Sequence, residues 1–211
     1  MALVGIDLSG PSNLSDTALV AIDDDGTYRW HGRGFGDRDI LERLGAFENL
    51  QAVGLDAPLS YNPGGGDRPA ERSLRRALTD AGGTSSSVMP PTMTRMAYLT
   101  LRGISLARLL ERSLGLSPSR IVEVHPASAL MLGGAEADDV DALKVERPAR
   151  RRIVRWLNQE GGLRGLPDGI ADSDHLVAAA SVAMAMLRWR RGSPAFEHPA
   201  DPPIHPHPVI A

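Results

Sequence analysis

Apolar residues at the start of the chain form short runs that are separated by polar turns. Three such runs, at residues 3–8, 17–22 and 27–35, follow one another closely, and the last two flank an acidic turn that ends in Asp25-Gly26. Runs of this length between turn residues are typical of strands, and an Asp-Gly pair between two of them favours a hairpin. The pattern predicts a three-stranded antiparallel meander.

The pattern then alternates between helix and strand. Residues 38–47 have helical spacing of apolar positions and lead into an apolar run at 51–58, and a further apolar run occupies 120–125. A strand that follows a crossover helix usually lies parallel to the strand it joins. The chain is therefore predicted to be an α/β protein.

Later helices are predicted from the same spacing, at residues 67–81, after residue 94, at 147–160 and at 172–190. Asp67 is expected to cap the first of them. Residues 67–116 are interpreted as a helical insertion or cover on one domain of residues 1–191. The proline-punctuated residues 192–211 are expected to form an extended or disordered tail.

Composition narrows the class of protein. The chain has 211 residues and no cysteine, which excludes disulfides, thiolate metal sites and cysteine nucleophiles and fits a reducing cytoplasm. The longest apolar run, at 177–187, is too short to span a bilayer, and residues 1–10 do not resemble a signal peptide. The net charge of −3 gives no general attraction to nucleic acid. We expect a cytoplasmic protein without membrane association.

Three of the predicted strands each carry one acid in an otherwise apolar run, namely Asp7, Asp56 and Glu123. An ionised carboxylate in such a run is costly unless it is paired or binds a metal. Because open α/β sheets build their sites at the carboxyl ends of strands, we expect these acids to converge in one cluster, with Asp174 from the last helix beside them. A group of acids without matching lysines suits Mg²⁺ or Mn²⁺.

Two physical consequences follow from such a cluster. Like charges held together without a cation repel each other, so at least one acid should have a raised pKa. Neutralising Glu123 should then leave the metal-free protein at least as stable as before. Two metals in the cluster could stabilise both the attacking and the leaving oxygen of a phosphodiester displacement.

Basic residues supply candidate contacts to a substrate. The predicted helices at 67–81 and 147–160 are rich in arginine, and arginine neutralises phosphates, although a solvated helix face is the more common role. The substrate-binding candidates are Arg68, Arg72, Lys144 and Arg151. They make nucleic acid, as DNA or RNA, the expected partner.

The order of motifs resembles the family known as domain of unknown function 429, which is regarded as a group of nucleases related to ribonuclease H and to Holliday-junction resolvases. The matching stretches extend almost to Arg190, and they are GIDLSG at 5–10, LDAPLS at 55–60, LRRAL at 74–78, EVHPAS at 123–128, Lys144 and DHLVAAASVA at 174–183. His175 departs from the pattern, because the family more often has alanine there.

The resemblance implies a ribonuclease H-like fold, with a five-stranded mixed sheet that begins with three antiparallel strands and is flanked by helices. It also implies an acidic metal site in which Asp7 bridges the metals, Asp56 and Glu123 complete the ligand set, and Asp174 is the ligand from the helix. These four acids are then the expected catalytic residues.

We interpret the sequence as that of a divalent-metal-dependent nuclease, and two alternatives stay open. One is a phosphotransferase of the actin-like and sugar-kinase architecture, in which the loop at residues 9–16 would cradle a nucleotide phosphate. The other is a non-catalytic binding protein that retains the ribonuclease H-like fold while its acids make structural hydrogen bonds.

Overall fold

A mixed sheet forms the centre of the protein in this computed structural model, which describes residues 1–211. Its seven strands are β1 (Ala2–Asp7), β2 (Ala18–Asp23), β3 (Tyr28–Arg33), β4 (Leu50–Asp56), β5 (Ile121–Val124), β6 (Glu197–His198) and β7 (Val209–Ile210). They lie in the order β3-β2-β1-β4-β5-β7-β6. β1, β2 and β3 are antiparallel neighbours, whereas β4, β5 and β7 continue the sheet parallel to β1. The predicted α/β class is confirmed, with the meander first.

The sheet has two strands more than the predicted five, and both come from the end of the chain. Val209 and Ile210 pair with the free edge of β5, and Glu197 and His198 pair with β7. Val209, Ile210 and Ala211 are buried. These residues are extended, as one of the two expectations had it, but they belong to the sheet and do not form a separate tail, because their apolar side chains complete the core beside β5.

Seven α-helices accompany the sheet: α1 (Asp37–Gly45), α2 (Pro69–Asp80), α3 (Thr94–Leu114), α4 (Pro126–Gly133), α5 (Ala137–Ala142), α6 (Arg147–Gln159) and α7 (Asp174–Arg190). The sequence did not indicate α4 and α5, which are too short to show a helical period. α2 begins after Arg68 and not after Asp67, because the Glu71 side chain accepts the Arg68 backbone N–H at 2.7 Å. None of the helices combines the length and the hydropathy of a bilayer-crossing segment.

The two faces of the sheet pack against different helices. Leu3, Ala52 and Val122 face a core that contains α7, whereas Val4 and Leu55 face a second core shared with α1 and α3. Successive strand residues point to opposite faces, so these assignments fix the direction of every side chain along β1, β4 and β5.

Helix α7 lies unusually close to the sheet because two strand positions have no side chain. Gly5 and Gly54 are paired in register on β1 and β4. A Cβ at Gly5 would lie 2.3 Å from the Ala179 carbonyl oxygen, and one at Gly54 would lie 2.7 Å from a methyl carbon of Val182. Both distances are impossible for real atoms, so glycine at these positions sets the depth at which α7 is seated.

Candidate active site

Asp7 and Asp56 lie side by side at the carboxyl ends of β1 and β4. They are paired in register, each two residues beyond the glycine that faces α7, so both side chains are on the α7 face of the sheet. The side chain of Asp7 is only 13% exposed. Parallel pairing of the two strands thus brings two carboxylates into contact at a largely buried position.

The electrostatics of this pair favour a proton or a cation between the two carboxylates. Burial raises the pKa of Asp56 well above its usual value, and the negative charge of Asp7 and a hydrogen bond with Asp7 raise it further. Lys144 acts in the opposite direction as a positive charge near the pair, and Glu123 adds a small increase. The pair is therefore short of positive charge.

His175 is a residue of the site that sequence reasoning did not assign to it. Its Nδ1 lies 2.7 Å from Oδ2 of Asp7, and its Nε2 lies 3.8 Å from Oδ1 of Asp16 and 3.9 Å from Oδ1 of Asp174. The hydrogen bond to Asp7 raises the pKa of His175, although partial burial opposes the shift, and the charges of Asp7, Asp174 and Asp16 raise it further. The only signal in the sequence was the departure from alanine at this position.

A cavity of about 500 Å³ opens over Asp7 and Asp56. Asp174 and His175, the first two residues of α7, stand at one wall, and Lys144 stands at another. The rest of the cavity lies under α2, α3 and the loop between them. Three of the four predicted acids therefore face this cavity from the α7 side of the sheet.

Glu123 does not join the other acids, although it borders the same cavity. It pairs in register with Leu55, whose side chain faces the core shared with α1 and α3. Glu123 therefore points to the face opposite that of Asp7 and Asp56, and the expected common cluster of the three acids is wrong at this residue. The register of β5 decides this, because a shift of one residue reverses the direction of every side chain on a strand.

The oxygens of Glu123 are occupied by Arg68. The Arg68 guanidinium donates to both carboxylate oxygens of Glu123, with Nη1 to Oε2 at 2.8 Å, and the Leu59 backbone N–H donates to Oε2 at 2.8 Å. Arg68 also donates to Glu71 and Ser60 and is 2% exposed. Its neighbouring carboxylates raise its pKa despite its burial. Arg68 is thus the counter-ion of two buried glutamates, and the prediction that it binds substrate is corrected.

The other basic candidates lie in different surroundings. Arg72 donates to the Asp67 carbonyl oxygen at 2.8 Å on the exposed side of α2. Arg151 lines a separate polar groove of about 510 Å³ together with Arg147 and Arg155. Of the four predicted substrate contacts, Lys144 alone lines the cavity that contains Asp7.

The donors in the cavity fit a single hard cation better than a pair of metals. No group of three or more His, Asp or Glu side chains is arranged as a metal site. Mg²⁺, however, commonly keeps several waters and binds through one or two carboxylates together with a substrate phosphate. Asp7 and Asp56 are two carboxylates of this kind, and no lysine or arginine is hydrogen-bonded to either. The residues present fit one such ion, held by Asp7 and Asp56 with Asp174 nearby.

Comparisons with other proteins give one match. No curated protein and no solved structure matches the chain. A sequence family described as "protein of unknown function (DUF429)" matches residues 5–203. This range includes Asp7, Asp56, Glu123 and Asp174 and confirms the resemblance based on their motifs. The chain belongs to the DUF429 family.

Proposed function

We propose that the protein is a divalent-metal-dependent nuclease that hydrolyses phosphodiester bonds at Asp7 and Asp56. The observation that carries the proposal is the contact of these two largely buried carboxylates, in which burial and then the negative charge of Asp7 raise the pKa of Asp56. Hard divalent cations take oxygen ligands of this kind. An acid pair without an arginine or lysine bonded to it, at the carboxyl ends of neighbouring strands, suits such an ion.

The fold supports the same class of enzyme. Antiparallel β1, β2 and β3 are followed by β4 and β5 parallel to β1, which is the arrangement expected of a ribonuclease H-like protein. We include this fold assignment in the proposal. The absence of cysteine is compatible with a cytoplasmic location for the enzyme.

Each cavity residue would have a distinct task. Mg²⁺ or Mn²⁺, when bound, would supply positive charge to a phosphoryl oxygen. Hydrolysis joins the oxygen of a water molecule to phosphorus and breaks the bond from phosphorus to one sugar oxygen, which must then receive a proton. His175, with Nδ1 2.7 Å from Oδ2 of Asp7, would supply this proton, and its raised pKa extends the pH range over which the ring is charged. Lys144 can pair with a phosphate oxygen at the cavity wall.

The test combines cleavage with binding. Purified protein is incubated with end-labelled single-stranded and duplex DNA and RNA in Mn²⁺ or in chelator, and we expect Mn²⁺-dependent cleavage. Asp7→Asn should reduce it more than about 100-fold, because the amide keeps the shape of the side chain but loses the charge that holds the cation. Asp172→Asn is the matched control, since Asp172 forms an exposed pair with Arg147 outside the cavity.

Thermal unfolding supplies a readout that does not depend on substrate. An ion that binds only the folded protein stabilises it by about 2.7 kcal/mol at 100 times its dissociation constant. Wild type and Asp172→Asn should show this gain, and Asp7→Asn should lose it. A wild-type protein that is indifferent to Mg²⁺ and Mn²⁺ would contradict the proposal, as would cleavage that survives Asp7→Asn.

A further inference from the structure

The cavity over Asp7 and Asp56 has a fixed roof. The roof loop, residues 82–93, joins α2 to α3. Arg75 donates to the Val88 carbonyl oxygen from Nε at 3.1 Å and from Nη2 at 2.8 Å. Nε2 of His125, the residue after β5, lies 3.2 Å from the Ser87 carbonyl oxygen. These contacts hold the loop to α2 and to the sheet, so the roofed space exists without a ligand.

The lining of the cavity combines apolar and charged side chains. Fourteen of the 27 residues that line it are hydrophobic, and none of these fourteen is Phe, Tyr or Trp. The apolar side chains include Val88 of the roof loop, Met96 and Leu99 of α3 and Leu130 of α4. The charged side chains include Asp7, Asp56 and Lys144. A ligand that suits this lining has both an apolar, compact group and an anionic group that a cation can hold.

The size and enclosure of the cavity limit the substrate. Cavities of about 300–1,000 Å³ enclose molecules of drug size, and this one has about 500 Å³. Proteins that bind duplex DNA specifically instead bury about 1,000–2,500 Å² of their surface against it. They contact base edges in the grooves of the DNA, of which the major groove is about 12 Å wide. A duplex cannot place a base inside a roofed cavity unless the nucleotide leaves the helix, which costs unstacking energy. A free nucleotide or the end of a single strand has no such cost.

We propose that the cavity takes one nucleotide unit, as a free nucleoside monophosphate or as the terminal nucleotide of a single strand, with the base against Leu99 and Met96 and the phosphate beside Asp7, Asp56 and Lys144. This inference rests on the proposed function and names its substrate class. If the cavity takes one nucleotide, the enzyme acts on the ends of single strands and releases one nucleotide at each hydrolysis. Duplex and branched DNA are then poor substrates. Phosphate binding requires a divalent cation, because the acids alone repel it.

The experiment measures binding of adenosine 5′-monophosphate to the full chain by calorimetry in Mg²⁺ and in chelator. We expect binding in Mg²⁺, at least tenfold weaker binding in chelator, and at least tenfold weaker binding of ribose 5-phosphate, which lacks the base. Leu99→Trp and Met96→Trp, which place a larger side chain in the cavity lining, should each weaken binding of the monophosphate at least tenfold. Leu101→Trp is the matched control, because Leu101 lies on the same helix with 61% exposure, and it should bind as wild type does.

A four-way junction and a 20-base-pair duplex are titrated beside a single strand of equal length. Tighter binding of the duplex or junction than of the single strand overturns the inference, as does monophosphate binding that neither tryptophan variant alters while both remain folded by circular dichroism. If the monophosphate binds as expected but no strand is cleaved in an Asp7-dependent manner, the nuclease proposal fails and the cavity assignment stands. If duplex is cleaved in an Asp7-dependent manner without monophosphate binding, the cavity assignment fails alone.

Discussion

Two pairs of buried or largely buried acids lie near each other in this protein, and they differ in their positively charged partners. Glu71 and Glu123 share one guanidinium, that of Arg68, which is 2% exposed and donates to both. Asp7 and Asp56 touch each other without an arginine or lysine between them, and burial together with the charge of Asp7 raises the pKa of Asp56. The basic side chain in contact with this pair is that of His175, which is partly exposed and lies beside Asp7.

The presence or absence of a counter-ion within the fold distinguishes structural acids from acids that could bind a cation. Removing a carboxylate from water is costly in both cases. Arg68 offsets this cost for Glu71 and Glu123, whereas no arginine or lysine is hydrogen-bonded to the aspartate pair. The aspartate pair is therefore the one that can gain from a cation. Acids that each interrupt an apolar strand, such as Glu123 and Asp7, thus differ in role because they differ in partners.

The largest effect should come from removing the shared counter-ion. Arg68→Met leaves two buried glutamates without their partner, and breaking a buried ion pair in this way typically costs about 3–5 kcal/mol. Urea unfolding at pH 7 measures the loss. Arg72→Met, at an exposed position of the same helix, should stay within about 0.5 kcal/mol of wild type. Equal stability of the two variants would remove the distinction between the acid pairs.

A second test neutralises one glutamate. The sequence alone predicted that Glu123→Gln would leave the metal-free protein at least as stable, but its bonds to Arg68 and to the Leu59 N–H reverse that expectation. We expect a loss of about 1–3 kcal/mol, since Arg68 and Leu59 lose a charged acceptor. The loss should be the same in chelator and in excess Mn²⁺. If the variant is as stable as wild type and is no longer stabilised by metal, Glu123 is a metal ligand and not a structural acid.

The aspartate pair should respond with the opposite sign. Because the folded-state pKa of Asp56 is raised, folding is penalised once the pH exceeds the usual aspartate value, and wild-type stability falls as the pH rises toward the folded-state value. Asp56→Asn removes this penalty, so the variant should equal or exceed wild type at neutral pH without metal. The difference between them should shrink as the pH is lowered to about 4. Unfolding curves across pH in chelator check this, and a variant that is less stable at every pH would place Asp56 among the structural acids.

The smallest effect should come from an ion pair in water. Arg147 and Asp172 are paired at the surface, with side chains 55% and 58% exposed. Exposed pairs typically contribute about 0.2–1 kcal/mol, so Arg147→Met should change the free energy of unfolding by no more than about 1 kcal/mol. The same urea titration measures it, at low and at high salt. A loss as large as that of Arg68→Met would mean that burial is not what separates the two kinds of acid.

The sequence predicted the parts of the fold that depend on local pattern. The first five strands and the long helices have clear periods, and parallel pairing of β1 with β4 accounts for the meeting of Asp7 and Asp56. The direction of Glu123 was beyond such reasoning. Ile121, Val122 and Val124 are apolar on both faces of β5, so no alternation shows which face Glu123 shares. The pairing of Glu123 with Leu55, which decides its direction, depends on how β4 and β5 assemble in the sheet.

Partners from distant parts of the chain were equally hidden. In the sequence, Arg68 is one of several arginines in a predicted amphipathic helix. Its neighbours do not indicate that it is buried against Glu123, which lies 55 positions later. The contact of His175 with Asp7 was hidden for the same kind of reason, since the approach of α7 to β1 decides it. The last strand was missed because two residues are too few for a periodic signal.

The close approach of α7 at Gly5 has a genetic consequence. Every missense change in a glycine codon adds at least a Cβ, so no mild mutation exists at this position. The added atom would push on Ala179, which lies one helical turn after His175 on the same side of α7. Such a mutation would tilt or lift the start of the helix and separate His175 from Asp7 even if the protein still folded. Inherited variation at Gly5 should therefore lower the amount of folded protein and, in the protein that still folds, break the contact between His175 and Asp7.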